Sequence, residues 1–284
     1  MKYGAHIYLW IERWSDAEVG LLARAKSLGL DVLEIAVGLD VSFSSDLTRR
    51  AAAEAGMRLI TSPGGEWPAA ADLSADDPAQ RRAAVEFHRR AIDQAAELGA
   101  LAYAGAIYGR PGTVLKRRPP ADELPRTAEG LRVLADFAKE RGVGLVIEPM
   151  SRFRTHLINT PAQALQLIEL AGAPGNVGVM FDTYHMVTEL RDPAAAVRAL
   201  GDTLWGLHAC ENDRGVPGGG LIPWAPLLAA VGETACDYIG LEGYNTARGD
   251  FGWRRGMFQD VCPDGDAFVR EGLACLQTQV VDRQ

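Results

Sequence analysis

Val177-Gly178-Val179-Met180-Phe181-Asp182 is a short apolar run of strand type closed by a carboxylate. The same construction, closed by a carboxylate or an imidazole, occurs three more times, in Val143-Gly-Leu-Val-Ile-Glu148, Leu204-Trp-Gly-Leu-His208 and Tyr238-Ile-Gly-Leu-Glu242. The closing residues follow one another at 34, 26 and 34 residues, each close to one strand-plus-helix unit. Random placement does not set a metal-ligand residue type at the same point of four successive units. The pattern points to a divalent metal at the mouth of a barrel, and so to an enzyme.

Working outward, strand-like runs recur at 3–9, 31–37, 57–62, 101–107, 143–149, 176–182, 203–209 and 237–242. Most are continuous apolar stretches, which suits parallel strands buried on both faces. Helical periodicity fills the intervals, as from Ala79 to Leu98 and from Ala121 to Arg141. Thr160-Pro161-Ala162-Gln163 carries an N-cap, a proline in the first turn and a capping-box glutamine, which starts the fifth helix. Eight strands alternating with about eight helices predict an α/β fold, a single-domain (β/α)8 barrel over residues 1–284. The longer connections, 63–77, 108–120, 209–222 and 243–263, all follow strands, so the expected substrate pocket lies on that rim.

Composition narrows the function. Apolar residues make up 48% of 284, enough for a large core, and the formal charge of −8 opposes a nucleic-acid partner. Four cysteines without close spacing are expected to stay reduced thiols. The N-terminus enters a strand pattern at once and no run approaches a membrane span, so the expectation is a cytoplasmic protein without a membrane partner.

Three carboxylates and one imidazole form a hard donor set. It suits one divalent cation, Mn²⁺ first, with Co²⁺ or Mg²⁺ as alternatives, better than a structural zinc. A single acid at a strand end is more often a helix cap or a surface group; four in register reverse that balance.

The chain resembles the sugar isomerase/epimerase family of xylose-isomerase-like TIM barrels, and most of all ketose 3-epimerases. The matching stretches include Met1-Lys-Tyr-Gly, Asp31-Val-Leu-Glu-Ile-Ala36, Asp72-Leu-Ser-Ala-Asp-Asp-Pro78, Gly105-Ala-Ile-Tyr108, Phe181-Asp-Thr-Tyr-His185-Met and His208-Ala-Cys-Glu-Asn-Asp-Arg214 through Trp224. The resemblance implies that Glu148, Asp182, His208 and Glu242 bind the metal. It implies metal-dependent epimerisation of a free ketose at C3, with Glu148 and Glu242 also acting as acid and base around a cis-enediolate and His185 and Arg214 contacting sugar hydroxyls. Oligomers are common among relatives, which implies a homodimer or homotetramer.

Trp14, Trp67, Tyr108 and Trp253 fall near the functional rim and are expected to wall the sugar site, whereas Met186 and Met257 read as packing. Lys116-Arg117-Arg118 reads as a solvated loop. Three positions depart from the family pattern. Arg154 stands where a substrate-binding glutamate is usual, His6 where an aromatic residue is common, and Ser62-Pro-Gly-Gly-Glu-Trp67 differs from the usual third-strand loop. Arg154 either meets a carboxylate, a phosphate or a more oxidised sugar, or turns outward to a surface acid. The enzyme alternatives on the same scaffold are an aldose–ketose isomerase and an inositol-type or C-glycoside-cleaving lyase. A DNA-repair endonuclease needs more histidines than the five present, and a non-catalytic sugar-binding module does not need both glutamates.

Overall fold

In the computed structural model, which describes residues 1–281, eight parallel strands close into one barrel in sequence order. They are β1 (Lys2–His6), β2 (Val32–Val37), β3 (Arg58–Pro63), β4 (Ala102–Gly105), β5 (Gly144–Ile147), β6 (Val177–Asp182), β7 (Leu204–Ala209) and β8 (Tyr238–Leu241). β8 returns to pair with β1, leaving no open sheet edge. The helices outside are α1 (Gly20–Ser27), α2 (Ser45–Ala55), α3 (Pro78–Leu98), α4 (Glu123–Glu140), α5 (Pro161–Leu170), the single turn α6 (Thr183–Met186), α7 (Pro193–Leu200), α8 (Trp224–Val231), the single turn α9 (Phe251–Arg254) and α10 (Gly265–Val281). No helix among the described residues is long and apolar enough to cross a membrane.

Strand parity explains what faces where. Side chains alternate along a strand, so residues of one parity point into the barrel and those of the other meet the helices. Here the even-numbered Val32, Ile60, Ala102, Ala104, Val146, Met180 and Tyr238 form one buried cluster. The odd-numbered Leu33, Ile35, Leu59, Leu145, Ile147, Val179, Phe181, Leu207 and Ile239 belong to the larger core shared with the helices. Tyr238 needs room inside. An added Cβ at Gly4, Gly206 or Gly240 would lie within 2.4–2.7 Å of its ring or hydroxyl, so glycine is required where the ring crosses. This plug closes the barrel beneath the functional rim.

The expected capping box on α5 forms: Thr160 accepts from Gln163 N, and Gln163 Oε1 accepts from Thr160 N at 3.1 Å. Two strands end earlier than their apolar runs. β1 stops at His6, whose Nδ1 accepts from Tyr8 N and turns residues 7–9 into a 3₁₀ turn. β4 stops at Gly105, where φ is +138°.

Candidate metal centre and active site

The inward parity of the strands continues upward to the site. Glu148 follows β5, Asp182 ends β6, His208 lies near the end of β7 and Glu242 follows β8, and all four are even-numbered and buried. One ligand atom from each lies within 4.8 Å of the others, a spread that fits a single divalent cation. His208 Nδ1 is 2.9 Å from Glu242 Oε2 and 3.5 Å from Glu148 Oε1. Neither Nδ1 nor Oε2 has a hydrogen-bond partner among the described residues, although both are buried. Such orphaned donors converging on one point are what an ion would satisfy.

β1 and β2 supply the support. Glu34, in the middle of β2, lies 2.9 Å from His208 Nε2 and fixes that nitrogen as the protonated one, leaving Nδ1 for the metal point. His6 accepts from Tyr8 N through Nδ1, so its Nε2 carries the proton and faces Ser62 Oγ at 3.2 Å.

The two glutamates differ in environment. For Glu148, burial is the largest influence, and with the charges of Glu242 and Asp182 it pushes the carboxyl above its ordinary value against the attraction of His208. For Glu242, burial acts in the same direction, but Arg214 and His208 overcome it and hold the carboxyl well below its usual range.

Arg214 is bound into this set. Its Nη1 donates to Asp182 Oδ2 at 2.7 Å and lies 3.3 Å from Glu242 Oε2, while the guanidinium sits 4.4 Å over the Tyr184 ring. Its backbone is left-handed, φ 69°, an arrangement that costs a non-glycine residue energy and is held by the 211–215 turn. Glu211 locks that loop by accepting from Gly218 N, Ile222 N and Trp224 Nε1. His185, whose backbone N–H is capped by Asp182, is buried: burial lowers its pKa to about 4 against the opposing charge of Asp182, and Arg214 adds a smaller push in the same direction as burial. Its Nδ1 has no hydrogen-bond partner among the described residues, which leaves one polar atom for a ligand.

The other expected contacts divide. Arg154 turns inward, and lines a small chamber of about 50 Å³ with Glu148, His185, Arg214 and Glu242. His6 lines a neighbouring chamber of the same size with Glu34, Glu148, His208 and Glu242. Trp67 borders the wider vestibule outside, its indole N–H donating to Pro63 O. Tyr108 is fully buried and its hydroxyl contacts the carbonyl oxygens of Glu148 and Ile158, both at 3.1 Å, so it braces the chain after β5. Trp14 is buried in the packed core, where its indole N–H donates to Thr48 of α2. Trp253 is exposed and packs on Phe258. The aromatic wall of the chambers is instead Tyr8, Tyr184 and Tyr244, with Met150 and Met257. Met257, expected to be packing alone, thus borders the site.

Glu34 and Glu211 were not singled out from the sequence. Glu34 had a signal: an acid inside the otherwise apolar strand Val32-Leu-Glu-Ile-Ala-Val37, at the inward parity. A larger cavity of about 800 Å³ lies beside the β1 and β8 loops and touches none of the four clustered residues. Three of the clustered residues, Glu148, His208 and Glu242, line the smaller chambers instead.

A barrel of this topology, closed beneath and carrying a metal-type cluster above β5 to β8, defines a class. Residues 22–277 match the family described as xylose isomerase-like TIM barrel, and the chain belongs to that family. Among its curated relatives it is similar to the D-psicose 3-epimerase of Agrobacterium fabrum, 32% identical over 79% of this chain and 78% of that protein. It is likewise 32% identical to the L-ribulose 3-epimerase of Methylomonas sp., over 84% of this chain and 82% of the other. In structure it resembles a D-allulose 3-epimerase from Methylomonas sp. solved in complex with D-allulose, with a TM-score of 0.90, 27% identity, and coverage of 98% of this chain and 97% of that one. These relatives are isomerase-class enzymes.

Proposed function

We propose that this protein is a divalent-metal-dependent epimerase that inverts a ketose at C3. The observation that carries the reading is the pair Glu148 and Glu242, buried on either side of His208 in one ligand cluster. The likeness to ketose 3-epimerases supports it.

Glu148, Asp182, His208 and Glu242 would hold the cation, with Mn²⁺ the favoured ion. Bound there, it would polarise the ketose carbonyl and offset negative charge on the enediolate. One glutamate carboxylate takes the C3 proton, and the C–H electron pair becomes the C2–C3 double bond while the carbonyl oxygen gains charge. The other glutamate, protonated, returns a proton to the opposite face of C3. Arg214 and the free Nδ1 of His185 orient the sugar oxygens, and Tyr8, Tyr184, Tyr244 and the two methionines limit access of water.

The test is exchange in D₂O with Mn²⁺-loaded protein and a panel of ketoses. Deuterium entering at C3 is the expected result. Deuterium at C1 would reassign the protein to aldose–ketose isomerisation, and no exchange with any ketose would sink the epimerase reading.

A further inference from the structure

The wall through which a substrate reaches the cluster is cationic. The vestibule outside the chambers, about 460 Å³, is lined by Arg110, Arg154, Arg254 and Arg255, and its one acid is the exposed Glu66. Arg154 and Arg255 line both this vestibule and the chamber that contains Glu148 and Glu242. They are half-buried, and neither has an acid partner among the described residues.

Neighbouring arginines show how unusual that is. Arg152, two residues away, meets Glu189 through Nε–Oε1 at 3.0 Å and Nη2–Oε2 at 2.8 Å. Arg214 is neutralised by Asp182. Arg255, by contrast, meets no acid among the described residues and lies 4.8 Å from the Phe251 ring. Burial, and after it the facing charge of Arg255, push the Arg154 guanidinium below its ordinary value, which reflects like charges held close without a counter-ion. Two cations kept together in a partly desolvated gap are unfavourable until an anion joins them. A guanidinium pair matches the oxygens of a carboxylate or phosphate.

We propose that the substrate is a ketose bearing a terminal anionic group, carboxylate or phosphate, which Arg154 and Arg255 clamp at the mouth of the site while the carbonyl end reaches the cluster. This rests on the epimerase reading for the position of the carbonyl end. It assigns Arg154 and Arg255 a specificity role, with Arg110 and Arg254 drawing the anion inward.

Binding tests it. Calorimetry on the Mn²⁺-loaded full chain compares D-fructose with its 6-phosphate and with the ketose of the same skeleton carrying a C6 carboxylate. At least one anionic ketose should bind about tenfold or more tightly than the neutral sugar. The phosphate and carboxylate arms show which anion is preferred. In the Arg154→Gln/Arg255→Gln double variant the advantage should collapse to within about threefold, whereas Arg118→Gln, on the exposed loop, should leave the ratio in place. Retained Mn²⁺ binding, read by electron paramagnetic resonance, confirms that the double variant is folded, and Arg154→Lys should recover part of the preference. Equal binding of neutral and anionic sugars, or a preference that survives the double variant, overturns the proposal. Deuterium exchange in the same samples separates the two readings. C3 exchange without anion preference removes this inference alone, and anion preference without C3 exchange removes the epimerase reading alone.

Discussion

The two halves of the barrel do different work. β5 to β8 carry the whole metal-type cluster, Glu148, Asp182, His208 and Glu242. β1 to β4 carry none of it, yet they contribute Glu34, His6 and Ser62, which fix the protonation and orientation of the imidazoles. The same inward parity is therefore used twice, for donors on one side and for their support on the other. A ligand set built on rigid strands is only as well aimed as the groups that hold its rings.

The largest break in this comparison comes from the cluster itself. Glu148→Gln and Glu242→Gln should each lower kcat by on the order of 10³-fold, with ketose still bound. Steady-state rates and calorimetry at saturating Mn²⁺ check this, and a variant that keeps most of its turnover would remove that residue from the proton-transfer pair. Glu34→Gln, across the barrel, should weaken Mn²⁺ binding by about 10- to 100-fold while kcat at saturating metal changes far less. Equal Mn²⁺ titrations for Glu34→Gln and the native protein would deny Glu34 its supporting role.

Away from the site, the first half also holds His88 of α3, which is buried against Tyr103 of β4 with Nδ1 2.9 Å from the phenol oxygen. Burial lowers its pKa to about 3, so the folded state takes the neutral ring. Its contribution to stability is complete above pH 6.5, the unfolded value, and is lost as pH falls from there towards 3. Between pH 7.5 and 5, native protein should lose about 2 kcal/mol more than His88→Gln in urea unfolding. Parallel pH profiles for the two proteins would contradict it. Smallest is Trp14→Phe, which leaves Thr48 Oγ1 without its donor and should cost about 1 kcal/mol of stability, with kcat unchanged. A large loss of kcat with native stability would instead put Trp14 at the sugar.

Legibility followed the range of the physics. The eight strands, the long loops on one rim and the start of α5 at Thr160 are local patterns of hydrophobicity and capping, and they read directly. The four clustered residues read as well, because each closes its own apolar run at the same point of its unit. Aromatics were less tractable: Trp14 and Tyr108 sit close to the rim in sequence, but their polar atoms are spent on Thr48 and on the chain after β5. The partner of His208 lies 174 residues away on β2, and no local spacing announces it.

Sequence alone determined the barrel, the order of its strands and the hard-donor set above β5 to β8. Parity and periodicity are properties of the chain's own backbone, so they survive without knowledge of distant neighbours. Tertiary structure decided which side chains serve that set. It turned Arg154 inward beside Arg255 instead of outward like Arg152, it set Glu34 behind His208, and it gathered Glu148, Asp182, His208 and Glu242 around one point. Those outcomes depend on burial and on charges brought together by closure of the barrel, and neither exists until the chain has folded.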